Sequence, residues 1–331
     1  MRSLYLDRKG AVLGWHNGAI ELRLPAEPIR RLPLRDLDRV VIAAPCTLST
    51  GVLNALWDRG VALLLMGGRW GDPGARFSGA PHNDARIRLR QIAVIADAAR
   101  RQDWARQLLL LRLRQMRRVA VGIARRRQRG RDMLRPALDA IGRAEQRLVT
   151  EPPPTLDALR GMEGAVLAAW FACYARLFPA SLGFSSRRRR PPPDPVNATL
   201  SLGYTLATAE AARIATVAGF DPAIGLIHGL AHGRDALALD LVEPARPHVD
   251  RLVHDLFHSR KLTSRHVTSS AEGAVLLGKA GRATFYEAWE AEAAPVIRPL
   301  LRAVCREAVR RLRAGPPSPA ELAAQGGEDV P

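Results

Sequence analysis

Three carboxylates and one imidazole, Glu163, Asp240, Glu243 and His228, are the side chains of this sequence best suited to do chemistry together. Carboxylate oxygens with one imidazole form a hard, mostly oxygen donor set of the kind that takes Mg²⁺ or Mn²⁺ and leaves positions open for water and phosphate oxygens. An ion held that way can polarise a phosphodiester, orient the attacking oxygen and offset charge on the leaving one. The surrounding chain is strongly cationic, with 50 Lys and Arg against 32 Asp and Glu and a formal net charge of +18. Acids inside a protein of that charge point to metal-assisted work on a polyanion, with nucleic acid as the first partner to consider.

Each residue also has a plainer reading. Glu163 sits within an apolar helical stripe, with Leu159, Val166, Leu167 and Trp170 at three-, four- and seven-residue spacing. A carboxylate there is costly unless paired. Either it is a ligand, or it lies at the edge of the stripe, or a core arginine pairs with it. Gly161 and Gly164 beside it leave room for a ligand or another backbone. His228 follows the apolar run 224–227 and is either a satisfied core histidine or a ligand; His232, four residues on, offers a rival pair that Gly229 and Gly233 weaken. Asp240 and Glu243 share a face if their segment is helical, although acids at a helix end are also common caps.

The charge is carried by arginine, whose planar fork suits phosphate. Arg112, Arg114, Arg117, Arg118 and residues 125–127 are candidates to track a nucleic-acid backbone, and Arg187, Arg188, Arg189 and Arg190 stand on a linker that could close over it. Arg234 and Arg246 flank the acids and are the better candidates for substrate contact. A solvated charged face is the alternative for any one of them.

These residues must be positioned by two kinds of structure. Residues 1–80 read as a small β-rich domain: the runs 11–16 and 19–24 flank Asn17-Gly18, a hairpin dipeptide, with Ile20, Leu22 and Leu24 inward and Glu21 and Arg23 outward. Residues 39–43 and 61–66 read as strands, and Ser49 caps a helix that Gly60 ends. Residues 70–82, rich in Gly and Pro, form a linker. Residues 81–314 read as an all-α catalytic domain with helices over 86–127, 132–149, 155–178, 195–218, 247–258 and 280–312. Residues 315–331 have the composition of a disordered tail. The fold class is therefore α+β. Cys46, Cys173 and Cys305 read as reduced core thiols, and no apolar run of about 18 residues or signal peptide appears, which makes the cytoplasm the default location.

In order along the chain, Leu159-Arg-Gly-Met-Glu163-Gly-Ala, Gly225-Leu-Ile-His228 and Leu237-Ala-Leu-Asp240-Leu-Val-Glu243-Pro closely resemble the universal CRISPR-associated integrase, the spacer-acquisition endonuclease. Residues 34–53, 197–205 and 273–286 resemble further segments of that family. The resemblance implies a homodimerising β-domain and a helical catalytic domain, with Glu163, His228 and Glu243 as ligands to Mg²⁺ or Mn²⁺ and Asp240 as a further acid of the site. Many relatives carry aspartate at the position of Glu243. It implies transesterification, in which the 3′-OH of a captured DNA fragment attacks the CRISPR repeat, and a small ferredoxin-like partner that assembles with the protein into a heterohexamer. Two other classes compete: a non-catalytic arginine-rich nucleic-acid scaffold, and a general DNA-repair nuclease.

Overall fold

Asn17 and Gly18 adopt φ of 47° and 76°, the pair of left-handed residues that a two-residue hairpin turn needs. They join β2 (Ala11–His16) to β3 (Ala19–Arg23), paired antiparallel with His16 opposite Ala19. A computed structural model of the chain describes residues 3–66, 73–77, 85–125, 128–153, 155–189, 191–229, 233–270 and 273–315. It divides into two units, Met1–Asn83 and Asp84–Pro331.

The first unit holds two four-stranded sheets. One has β1 (Ser3–Leu6), β5 (Arg39–Ile42) and β7 (Ala62–Met66) in parallel, with β8 (Pro73–Phe77) antiparallel at its edge. The other runs β4 (Arg30–Pro33), β3, β2, β6 (Cys46–Leu48). Helix α1 (Thr50–Asp58) starts where Ser49 accepts the Val52 N–H, and Leu13, Ile20, Val40, Val52 and Leu56 join in one core. Two expectations are corrected here. A strand, β8, lies inside the Gly- and Pro-rich stretch read as linker; residues 70–72 and 78–82 of that stretch lie outside the described residues. Glu21, expected to face water, is buried, because Arg23 and Arg31 close over it as ion pairs.

The second unit contains α2 (Arg86–Ala96), α3 (Ala98–Ala124), α4 (Gln128–Thr150), α5 (Leu156–Ala175), α6 (Pro195–Val217), α7 (Ala236–Val242), α8 (Arg246–His258), α9 (Lys279–Ala288) and α10 (Ala294–Ala314). The single helix expected over 86–127 is two, because Asp97 leaves the helical conformation and caps α3 by accepting the Arg100 N–H. Asp194 caps α6 with Pro195 at its first position, and Gly219 ends it at φ 92°. The unit is not wholly α: β9 (Val267–Ser269) and β10 (Val275–Leu277) form a two-stranded antiparallel sheet. All three cysteines are free thiols. No described helix is long and apolar enough to cross a membrane, and residues 316–331, the expected tail, lie outside the described residues.

Candidate metal centre and nucleic-acid interface

The segment 225–228 is held from both sides. On its N–H side, the buried Asp240 carboxylate of α7 accepts the backbone N–H groups of Leu226 (2.6 Å), Ile227 (2.9 Å) and His228 (3.0 Å). On its carbonyl side, Arg101 of α3 donates to Leu226 O at 2.5 Å, and Arg160 of α5 donates to Ile227 O. Gly225 makes this possible: a Cβ there would stand 2.6 Å from Ala236 Cβ and 2.6 Å from His228 O. The result is a fixed imidazole, with His228 Nδ1 2.6 Å from Asp240 Oδ1. A carboxylate can only accept, so Nδ1 donates this bond, and Nε2 on the far side of the ring is left for another partner.

Glu163 and Glu243 meet at Arg112. Glu163 is half-buried on α5, at 25% exposure, at the edge of the stripe and paired with an arginine from α3. The Arg112 side chain is 7% exposed, and its Nη1 contacts both Glu163 Oε1 and Glu243 Oε2, the latter at 2.6 Å. Glu243 Oε1 lies 3.0 Å from Arg246 Nε. Burial alone would raise the Glu243 carboxyl, but Arg112 and Arg246, with smaller effects from His228 and Arg189, outweigh it and hold it below the usual carboxylate range. The glutamate is ionised. Asp240 and Glu243, three residues apart, diverge: the first turns to the loop of His228, the second to the arginines.

A divalent cation suits this donor set. Glu163 and Glu243 meet at one nitrogen, His228 lies near enough to lower the Glu243 carboxyl, and Glu243 Oε2 is buried without a hydrogen bond. Among the described residues no three His, Cys, Asp or Glu side chains stand in coordinating geometry, and a guanidinium lies between the two glutamates. Gly161 and Gly164 border the site on α5, and a Cβ at either would meet nothing within 4 Å.

Beside the centre lies a layer that sequence reasoning missed. Tyr204 of α6 has Arg246 at 4.8 Å and Arg187 at 5.3 Å from its ring centroid. Its hydroxyl donates to the buried Asp250 of α8, which also accepts from Trp170 Nε1 at 2.9 Å, while Tyr174 OH donates to the Asp250 carbonyl. Three helices thus share one acid. Gly203 lets α6 approach α8, since a Cβ there would stand 2.5 Å from Val249 Cγ1.

The arginines sort by burial. Arg112, expected to track phosphate, is instead an internal ion pair, and Arg246 is also buried. Arg187 is not on a loose linker: it donates to Asn197 Oδ1 and Ser201 Oγ, and Asn197 also receives the Arg188 N–H and donates to Ser186 O. Arg114, Arg117, Arg118, Arg125, Arg188, Arg189 and Arg234 are exposed, Arg117 being paired with Glu145. Arg126, Arg127, Arg190 and His232 lie outside the described residues.

The family model of CRISPR associated protein Cas1 matches residues 4–291. The chain belongs to the Cas1 family. A CRISPR-associated endonuclease Cas1 of Thermodesulfovibrio yellowstonii is 34% identical over 297 residues, 88% of this chain and 91% of that one. A Cas1 endonuclease of Thermus thermophilus is 30% identical over 86% of this chain and 81% of its own. In fold, the chain is similar to a Cas1 protein from Thermotoga maritima, with a TM-score of 0.80 at 21% identity, covering 95% of this chain and 97% of that one. It is equally similar to a casposase bound to integration product, with a TM-score of 0.80 at 18% identity over 97% and 94% of the two chains. The Cas1 match bears out the resemblance carried by the three motifs around Glu163, His228 and Glu243, and it ends before α10.

Proposed function

We propose that this Cas1 family member is a divalent-metal-dependent DNA endonuclease and integrase of CRISPR adaptation, which joins the 3′-OH ends of captured DNA to the repeat by transesterification. The observation that carries the reading is the convergence of Glu163 and Glu243 on one nitrogen while Asp240 leaves His228 Nε2 free. Glu163, Glu243 and His228 would hold Mg²⁺ or Mn²⁺. When bound, such an ion would supply Lewis-acid polarisation of the phosphodiester and a lowered pKa for the attacking hydroxyl. Asp240 keeps the Nδ1 proton in place and so fixes the tautomer of His228. Exposed Arg188, Arg189 and Arg234 bind phosphates, and the open strip along Gly161 and Gly164 admits the DNA backbone. We further propose that the first unit serves homodimerisation and that a small ferredoxin-like protein completes a heterohexamer acting in the cytoplasm; a chain of a Cas6-RT-Cas1–Cas2 complex carries a similar fold over 34% of its length.

The test is half-site integration of a short 3′-OH duplex into a repeat-bearing target, with and without Mn²⁺ or Mg²⁺ and the partner. Glu163→Ala should keep DNA binding and reduce strand transfer by more than roughly a hundredfold, the usual ceiling for losing a mere outer-sphere partner. In the scaffold reading the same cluster is only a buried polar network, and the variant would lower stability while leaving DNA handling intact. Equal joining to random duplex would favour a repair nuclease.

A further inference from the structure

We infer that Arg112 is the resident counter-ion of the centre: its guanidinium holds the seat between Glu163 and Glu243, and a divalent cation binds there by displacing it. This rests on the metal-dependent reading proposed above. The geometry is unlike that of a structural arginine, which meets one carboxylate with two parallel N–H groups. Here one nitrogen, Nη1, serves two acids on two different elements, as a small cation would. The bonding is correspondingly poor in direction. Arg112 Nε, Glu243 Oε2 and Arg246 Nε are all buried without a hydrogen bond, although the charges match. Charge is satisfied and geometry is not.

The physical need is plain. Two carboxylates brought to one point repel each other unless a cation stands between them. Arg112 meets that need before any metal arrives, so the two glutamates are already held at one point. Removing Arg112 therefore has two opposite consequences. The metal-free protein loses stability, because buried acids are left unpaired. The metal gains affinity, because nothing has to leave.

The experiment is Mn²⁺ titration of the full-length protein, read by the electron paramagnetic resonance of free Mn²⁺ and by thermal melting with and without Mn²⁺. It compares wild type, Glu163→Ala, Arg112→Met and Arg112→Lys. Arg112→Met should melt lower without metal, bind Mn²⁺ tighter by on the order of tenfold, and gain more melting temperature from Mn²⁺ than wild type does. Arg112→Lys keeps a positive charge, so it guards against a variant that fails to fold. Its strongly hydrated ammonium is held less firmly in a buried seat, and it should bind Mn²⁺ a few-fold tighter than wild type. Arg112 variants that fold and bind Mn²⁺ no tighter than wild type would overturn the displacement while leaving the metal site standing. Wild type binding no Mn²⁺, or binding it as Glu163→Ala does, would overturn the metal reading and the displacement together.

Discussion

Glu243 and Asp250 are both buried acids of the helical unit, and their partners drive them apart. Glu243 faces guanidinium groups and is held low, whereas Asp250 is pushed up to about 6 by burial that the Tyr204 and Trp170 hydrogen bonds only partly offset. The consequence for stability has a definite sign. The unfolded aspartate releases its proton near its ordinary value of 3.8 and the folded one near 6, so between these pH values the native state binds the extra proton and stability falls as pH rises. The loss amounts to roughly 3 kcal/mol at 1.36 kcal/mol per pH unit and is complete above about pH 7. Asp250→Asn removes that slope, since an amide can accept from Trp170 and donate to the Tyr204 oxygen. Thermal denaturation of the variant and wild type should show their difference moving in the variant's favour from pH 4 to pH 7; a constant offset would refute the assignment. Asp250 was not legible as a site residue, and Arg112 was legible only as a phosphate contact. For Arg112 a signal existed: it shares a helix face with Leu108, Leu109 and Met116, all buried, which is the same pattern that singled out Glu163. A charge in an apolar stripe on each of two helices is grounds for pairing them.

The elements that were legible are those whose conformation a few neighbouring residues dictate. Asn17-Gly18 sets its hairpin, and Asp194-Pro195 and Gly219 bound α6, because turns and caps are local. Strands β8, β9 and β10 were missed because their existence depends on pairing across the sheet, and the break at Asp97 because one capping residue interrupts an unbroken apolar period. The ordered loop 225–228 was half legible: the spacing of its residues marked them out, but the clamp by Arg101, Arg160 and Asp240 is non-local. Two glycines test this account with opposite signs. Gly225→Ala drives a methyl into Ala236 and the His228 carbonyl, so it should cost about 1–3 kcal/mol and displace the imidazole. Gly164→Ala meets open space in mid-helix and should gain up to about 1 kcal/mol. Chemical denaturation of both variants decides the matter, and a destabilised Gly164→Ala would mean that the strip on α5 is not open.

At the scale of the whole molecule, a net charge of +18 does not make every arginine available to DNA. Many are neutralised in place: Arg112 and Arg246 by Glu243, Arg213 by Glu210, Arg298 by Glu290, and Arg310 by Glu307, whose carboxyl is pulled down to about 2 by the hydrogen bonds of Arg310 and Arg311. Those free to release counter-ions are the exposed ones with no acid bonded to them among the described residues, Arg188 and Arg189 foremost, because Asn197 and Arg187 fix the segment that carries them. Each phosphate neutralised contributes about 0.9 to the slope of log affinity against log salt. Arg188→Ala/Arg189→Ala should therefore flatten that slope by nearly two for duplex DNA of any sequence, measured by fluorescence anisotropy across a salt series. Arg310→Ala is the control, since it removes the same kind of charge from a face already paired with Glu307. If Arg310→Ala flattens the slope as much per charge as the double variant, DNA senses the field of the whole protein, and the 187–189 segment has no special place in binding it.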